Sequence, residues 1–378
     1  GIEGLPTPQA FLAHPAYDSY WQARGVESHL TSLSVPSLEV GGYWDQEDMW
    51  GPQTAYAALR QRDPSSKDLF LVLGPWRHGG WAGSTERLGA VDFGEPTSDE
   101  YRTRIEAPFF EHYLKDKGTF DAGGAMTFQT GSDTWKQYAS WPPPGSRSSN
   151  LYLGPDGSLS FQQQDAPDAT AFATYISDPA NPVPYRARPI QATYAPDSKW
   201  GPWMVEDQRP FTSRKDVATF TTPALDHDVT ITGDVVADLF ASTSGTDSDW
   251  VVKLIDVYPP DAPAKMAGFE LMVNGEIFRG RYRTSFSQPE ALPAGQPQEY
   301  RFSLHAADHV FERGHRIMVE VQSTWFPLYD RNPQNFVPNI MTAAPTDFHP
   351  ATQRIYFSSQ HPSHIELPLV EGPAQAQR

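Results

Sequence analysis

Hydrophobic positions along the chain change period as the sequence proceeds, and the changes divide it into zones. Between Pro8 and Gly25, the residues Phe11, Leu12, Tyr17, Tyr20 and Trp21 recur at roughly helical spacing, interrupted by Pro15. A short apolar run from Val35 to Val40 follows and ends at Gly41-Gly42. Residues Gly51 to Arg62 read as a helix, and a second apolar run, Leu69 to Leu73, stops at Gly74-Pro75. The stretch Ser98–Lys117 predicts an amphipathic helix with Ile105, Phe109 and Tyr113 on one face and Gly118 at its end. Two strand-like runs, each closed by glycine and separated by a helix, form a βαβ pattern. Such a pattern predicts a parallel sheet whose loops carry function.

The pattern then changes. Residues Thr119 to Asn150 read as a junction containing Met126–Gln129 and the helix-breaking Trp141-Pro142-Pro143-Pro144-Gly145. Beyond it, short alternating runs are punctuated by Gly, Pro and Asp, among them Val229–Thr232, Val235–Phe240, Trp250–Val257, Arg301–Leu304 and Ile317–Val321. Spacing of this kind predicts an antiparallel sandwich or jelly roll. The expected fold class is therefore α/β followed by all-β, with a frayed tail after Val370.

Composition sharpens this picture in a few places. Proline, at 36 of 378 residues, favours loops and edge strands over long helices. With 46 acidic against 29 basic side chains the net charge is −17, which opposes nucleic-acid binding and favours neutral or cationic small molecules. The absence of cysteine removes thiol nucleophiles, disulfides and cysteine-zinc sites together. No apolar run approaches the ~18 residues of a spanning helix, so no membrane partner is expected. The first residue is Gly1 rather than Met, and the expectation is a start at a processing site or inside a longer product.

Two segments could carry chemistry. Gly41-Gly42-Tyr43-Trp44-Asp45-Gln46-Glu47-Asp48 lies just past the first predicted strand, and Gly74-Pro75-Trp76-Arg77-His78-Gly79-Gly80-Trp81 just past the second. Ligands of open α/β sheets bind at such strand ends. An acid after one strand and a histidine after the next match the last two members of a Ser…Asp…His triad. In that chemistry the acid orients the imidazole through its Nδ1–H, and the imidazole takes the serine proton. The bland alternative is a structural Asp45 with a merely satisfied His78. The third member is missing: no G-x-S-x-G elbow occurs in the 378 residues, and Ser19, Ser28, Ser32, Ser34 and Ser37 lack flanking glycines. The nucleophile is expected from sequence outside this chain.

At this point a resemblance enters. Ala13-His14-Pro15-Ala16-Tyr17-Asp18, GGYWDQED and GPWRHGGW resemble the α-amino acid ester hydrolases, in the group of cocaine esterase, cephalosporin acylases and X-Pro dipeptidyl peptidases. Later stretches resemble the same group: Asp247 to Tyr258, Arg279-Gly-Arg281-Tyr-Arg283, Gly314-His315-Arg316-Ile317, and Phe326 to Pro333. The resemblance implies the C-terminal part of an α/β-hydrolase fold, with the end of a helical cap at 1–34 and βα units at 35–118. A jelly-roll domain would fill 119–378. It implies Asp45 as triad acid, His78 as general base, and Glu47 and Asp48 as carboxylates that hold a substrate's α-ammonium. It further implies serine-hydrolase or acyltransferase activity on α-amino esters, amides or β-lactams, and a partner in the N-terminal part of the same enzyme. A homo-oligomer, commonly a tetramer, and a periplasmic or secreted location come from the resemblance alone.

Physics supports a cationic ligand independently, because clustered carboxylates repel until a cation arrives. The alternative for Glu47 and Asp48 is a solvated acidic loop at a helix start, where the dipole favours negative charge. Other readings of the whole are another esterase, acylase or X-Pro peptidase of the group, or an inactive jelly-roll fragment that binds or assembles. Trp44, Trp50, Trp76 and Trp81 either line an acyl pocket or pack the loops. Asp226, Asp228, Asp247 and Asp249 lack the ladder of a calcium loop and read as structural turns. Arg279, Arg281 and Arg283 alternate as on a strand and read as ion-pair partners. His112, His361 and His364 show no zinc spacing, and neither metal nor cofactor is expected.

Overall fold

A computed structural model describes residues 4–167 and 171–370. The expectations about Gly1 and the tail past Val370 fall outside the described residues. The first helical stretch is the helix Pro6–Ala13, and after His14-Pro15 a single turn, Ser19–Gln22, starts where the Asp18 carboxylate accepts the Tyr20 N–H at 2.9 Å.

The strands Ser37–Gly42, Leu69–Gly74 and Ala125–Gln129 run parallel in one sheet, and Thr134–Tyr138 adds antiparallel at its edge. Leu69–Gly74 is buried at every position, as a parallel strand covered on both faces must be. Its side chains alternate: Leu69, Leu71 and Leu73 meet Tyr56 and Leu59 of the helix Gly51–Arg62, while Phe70 and Val72 meet Ile105 and Phe109. The register sets Gly42 directly beside Gly74, so the two loops with candidate chemistry leave the sheet at the same level.

The helix expected over Ser98–Lys117 runs from Thr97 to Lys115 and widens to a π-helix at Arg102–Glu106. Pro108 supplies a reason, since it has no N–H to offer the preceding turn. The stop comes before Gly118: Asp116 takes the left-handed conformation at φ 53°, and the Lys117 N–H bonds back to Glu111 O at 3.0 Å.

The strands at 125–138, inside the expected junction, complete the parallel sheet. From Ser146 onward two antiparallel sheets face each other. The smaller contains Ala218–Thr221, Arg316–Gln322, Asp249–Val257 and Glu270–Arg279; the larger has seven strands centred on Val229–Thr243. Two predicted runs, Val229–Thr232 and Val235–Phe240, form this one long strand. Gly233, at φ 131°, and a register shift between Asp234 and Val236 make the break a bulge rather than a turn.

Asp249–Val257 serves two cores. Trp250, Val252 and Leu254 join Ile317, Val319 and Val321 between the antiparallel sheets. Val251, with Leu271 and Met272 of the neighbouring strand, packs among Trp44, Leu69, Leu71, Leu73 and Phe128 of the α/β region. Burial of each such large apolar side chain contributes roughly 1.5–3 kcal/mol.

Arg279 ends a strand, but Arg281 sits in the 3₁₀ turn Gly280–Tyr282, so the three arginines do not alternate along a strand as their spacing suggests. All three form the expected ion pairs, Arg283 with Glu290 at 3.7 Å. Arg279 binds Asp249 at 3.0 Å and Asp330 at 2.7 Å, and Arg281 binds the fully buried Asp247 at 2.6 Å. Among the described residues no helix is long and apolar enough to cross a membrane.

Candidate active site

Glycine at the strand ends is a steric requirement. A Cβ on Gly42 would lie 2.2 Å from the Trp76 carbonyl oxygen, and one on Gly74 would lie 2.6 Å from the Trp76 ring. That close approach lets the two loops hydrogen-bond to each other: the Tyr43 N–H donates to Gly74 O at 2.9 Å and the Trp44 N–H to Trp76 O at 3.2 Å. Gly79, at φ 68°, turns the second loop immediately after His78.

The loops bring Asp45 and His78 together. Both carboxylate oxygens of Asp45 lie 3.1 Å from His78 Nδ1. Asp45 is only 2% exposed, and its Oδ1 also accepts the backbone N–H groups of Glu47 and Asp48, each at 2.9 Å. Those donors fix the orientation of the carboxylate. His78 itself is 45% exposed, and its backbone N–H donates to Gln46 Oε1 at 3.1 Å. The arrangement is a buried carboxylate holding one edge of an imidazole whose other nitrogen is open. Chemically, it can take up a proton at Nε2 and return it.

The other two acids take separate positions. Glu47 Oε2 lies 3.9 Å from His78 Nε2, while Glu47 Oε1 accepts the indole N–H of Trp200 at 3.2 Å. Asp48 Oδ1 accepts the Gly51 N–H at 2.7 Å, at the start of the helix Gly51–Arg62. Asp48 therefore does the work of a helix cap with one oxygen. A cavity of about 220 Å³ lies beside the acid loop, and Asp45, Glu47 and Asp48 line it together with Glu276, His305 and Tyr329 of the antiparallel region. His305 Nε2 pairs with Glu276 Oε2 at 2.7 Å.

The four tryptophans divide. Trp44 and Trp76 are buried packing: the Trp44 indole N–H donates to Met272 O at 2.9 Å and that of Trp76 to Thr97 Oγ1 at 2.9 Å. The pocket-lining alternative does not hold for those two. Trp50 is exposed, and Trp81 meets the His78 ring edge-on with centroids 5.8 Å apart. Burial and the Asp308 charge push the Tyr43 hydroxyl well above its ordinary range, so it stays neutral beside the acid loop.

Sequence reasoning named the acid run but gave Gln46 no role, and it missed Trp200, which is 153 residues from Glu47. Asp238, His364 and Glu366 bring three donor atoms within 4.8 Å of one another on the larger antiparallel sheet, where Arg301 already pairs with Glu366.

Residues 120–366 match the model of the X-Pro dipeptidyl-peptidase C-terminal non-catalytic domain. The chain belongs to that family. Residues 4–80 match the X-Pro dipeptidyl-peptidase S15 family, and this segment contains both Asp45 and His78. Cocaine esterase of Rhodococcus sp. (strain MB1 Bresler) is 31% identical over 367 residues, covering 95% of this chain and 60% of that protein. Among solved structures, an aminopeptidase from a marine sediment Thaumarchaeota archaeon is 44% identical with a TM-score of 0.95, covering 98% of this chain and 61% of that one. A selenomethionine-labelled α-amino acid ester hydrolase is also 44% identical, with a TM-score of 0.93 and the same coverage. The likeness read from GGYWDQED and GPWRHGGW is thus borne out. The chain spans about 60% of the length of these three relatives.

Proposed function

We propose that this chain supplies the acid and the base of a serine hydrolase acting on esters and amides of α-amino acids. One observation carries the reading: Asp45, buried at the end of one parallel strand, holds the Nδ1 edge of His78, which stands half-exposed at the end of the next. In this reading the parallel strands are the last βα units of an α/β-hydrolase sheet and the antiparallel region is a jelly roll. The nucleophilic serine and the oxyanion hole come from sequence outside these 378 residues. The serine Oγ gives its proton to His78 Nε2 while attacking the acyl carbon. The imidazolium, stabilised by Asp45, then returns that proton to the leaving alcohol or amine. Water, or a β-lactam amine in synthesis, resolves the acyl-enzyme.

Glu47 is the carboxylate best disposed to meet a substrate α-ammonium, and Asp48 keeps one oxygen available for it. A unit charge pair at 4 Å contributes roughly 4 kcal/mol at an effective dielectric near 20, before desolvation. The 44% identity to a protein named an aminopeptidase favours a second reading within the same site, amides of α-amino acids rather than esters.

The test pairs this chain with the N-terminal part of its enzyme and measures hydrolysis of phenylglycine methyl ester, phenylglycine amide and their N-acylated forms. Activity should require the free amine and vanish in His78→Ala. Full turnover by that variant sinks the assignment, and the ester-to-amide ratio separates the two readings.

A further inference from the structure

The domain named non-catalytic in this family reaches into the candidate site, lining its cavity with Glu276, His305 and Tyr329 and touching Glu47 directly through Trp200. Trp200 lies within residues 120–366, and its indole N–H donates to Glu47 Oε1 at 3.2 Å. The other oxygen of the same carboxylate lies 3.9 Å from His78 Nε2, the atom that must carry the serine proton. We infer that Trp200 is a positioning residue that holds Glu47 off His78 and presents its charge to the substrate. The inference rests on the reading of Glu47 as a recognition site for the α-ammonium.

The groups around His78 define the problem. Asp45 occupies Nδ1, Gln46 takes the backbone N–H, Trp81 lies at the ring edge, and Arg77 points back to the His78 carbonyl at 3.3 Å. Glu47 is the one carboxylate within 4.0 Å of Nε2 among the described residues. A rotation closing that 3.9 Å would press a carboxylate, itself only an acceptor, against the Nε2 lone pair and block the serine hydroxyl from reaching it. It would also spend the negative charge on the enzyme's own base.

The chemistry of the donor matters. An indole N–H donates one hydrogen bond and carries no charge. It orients the carboxylate without neutralising it, whereas a lysine or arginine there would compete with the substrate's ammonium. The donor is itself held. The Trp200 backbone N–H bonds to Ser198 Oγ at 3.2 Å, and its ring abuts Tyr185 edge-on at 6.3 Å. Tyr185 packs on the buried Trp203 at 5.2 Å, and Trp203 on the buried Trp325 at 5.5 Å. The next residue, Gly201, lies against the Arg77 side chain so closely that a Cβ would sit 3.0 Å from its Cδ. One short segment thus touches both the acid loop and the histidine loop.

The experiment uses Trp200→Phe, which keeps an aromatic ring and removes the N–H, alone and combined with Glu47→Gln. In the enzyme completed by its N-terminal part, Trp200→Phe should raise KM for the free-amine ester about tenfold, the scale of a charge-assisted hydrogen bond. It should lower kcat on free-amine and N-acylated esters alike, through crowding of His78. In the Glu47→Gln background both effects should disappear. Additive effects of the two substitutions, or an unchanged KM in Trp200→Phe, overturn the inference. On this chain alone, the indole ¹⁵N–¹H resonance of Trp200 should move upfield in Glu47→Gln, and an unmoved resonance also overturns it. If Glu47→Gln itself leaves the preference for free amines intact, the failure belongs to the ammonium reading instead.

Discussion

Two carboxylates, Asp45 and Asp308, are about equally hidden from solvent, at 2% and 0% exposure, yet their surroundings differ in kind. Asp308 joins the parallel sheet to the antiparallel region. It accepts hydrogen bonds from Thr127 Oγ1 at 2.6 Å, Gln129 Nε2 at 2.8 Å, the Tyr138 hydroxyl at 2.9 Å and Thr232 Oγ1 at 3.0 Å. All four donors are neutral, and together they fill both oxygens. Asp45 is filled by backbone N–H groups and by one ring whose far nitrogen is open. A buried acid thus acts as a structural clasp when its partners are all neutral donors of the surrounding strands. On the proposed reading it serves chemistry when one partner is a half-exposed imidazole.

The strongest way to break this contrast is to neutralise each acid in turn. Asp45→Asn should keep the two backbone hydrogen bonds and change the unfolding free energy by less than about 1 kcal/mol, because only its partner to an exposed ring is altered. In the enzyme completed with its nucleophile, the same change should reduce ester hydrolysis roughly 10⁴-fold by favouring the wrong imidazole tautomer. Asp308→Ala should do the reverse to stability. Stranding several buried donors costs about 4 kcal/mol, measurable by urea denaturation, since each unsatisfied group costs about 1–3 kcal/mol. A stable Asp308→Ala protein, or an Asp45→Asn protein at full activity, would dissolve the distinction.

The smallest effect concerns a third buried acid. Asp256 lies 2.8 Å from His315 Nδ1 and 3.4 Å from His309 Nε2. Burial pushes its carboxyl up, but the neighbouring His309 ring and the hydrogen bond from His315 hold it below the ordinary range. Burial pushes His315 down, and the Asp256 hydrogen bond and charge more than offset this, leaving it raised. For His315 the stabilisation is fully present below its unfolded value near pH 6.5 and fades as pH rises through the folded one. For Asp256 it is present above roughly pH 3.9 and is lost as pH falls through the depressed value. The stability gap between the unaltered chain and His315→Gln should therefore be widest near pH 5–6, on the order of 1 kcal/mol, and narrow towards alkaline pH. A gap that grows with pH would reverse the assignment of charge.

Much of this was legible from periodicity and glycine. Apolar runs ending in Gly41-Gly42 and Gly74 marked the strand ends, and from them the pair Asp45 and His78 followed, because a strand-helix-strand crossover sets such residues side by side. Local rules failed where the cause lay elsewhere in the chain. The strands at 125–138 read as a junction because what makes them part of the parallel sheet is their pairing with Leu69–Gly74 and with each other. Asp48 carries a cap hydrogen bond that an acidic run cannot reveal, since capping depends on where the helix turns. Trp200 gave no signal at all: its partner is remote, and a tryptophan in a loop has no periodicity to betray it.

The strands Asp249–Val257 and Glu270–Arg279 are enclosed on both sides, one face towards the larger antiparallel sheet and the other towards Trp44 and the parallel strands. A module boundary drawn there would cut through packed side chains and through the hydrogen bond from Trp44 to Met272 O. The consequence is thermodynamic indivisibility. Heating should melt the loop that carries Asp45 and the antiparallel sheets in one calorimetric transition. Exchanging the C-terminal region between relatives would import a new floor beneath the acid, so chimaeras should misplace Asp45 unless the residues around Trp44 and Met272 travel together.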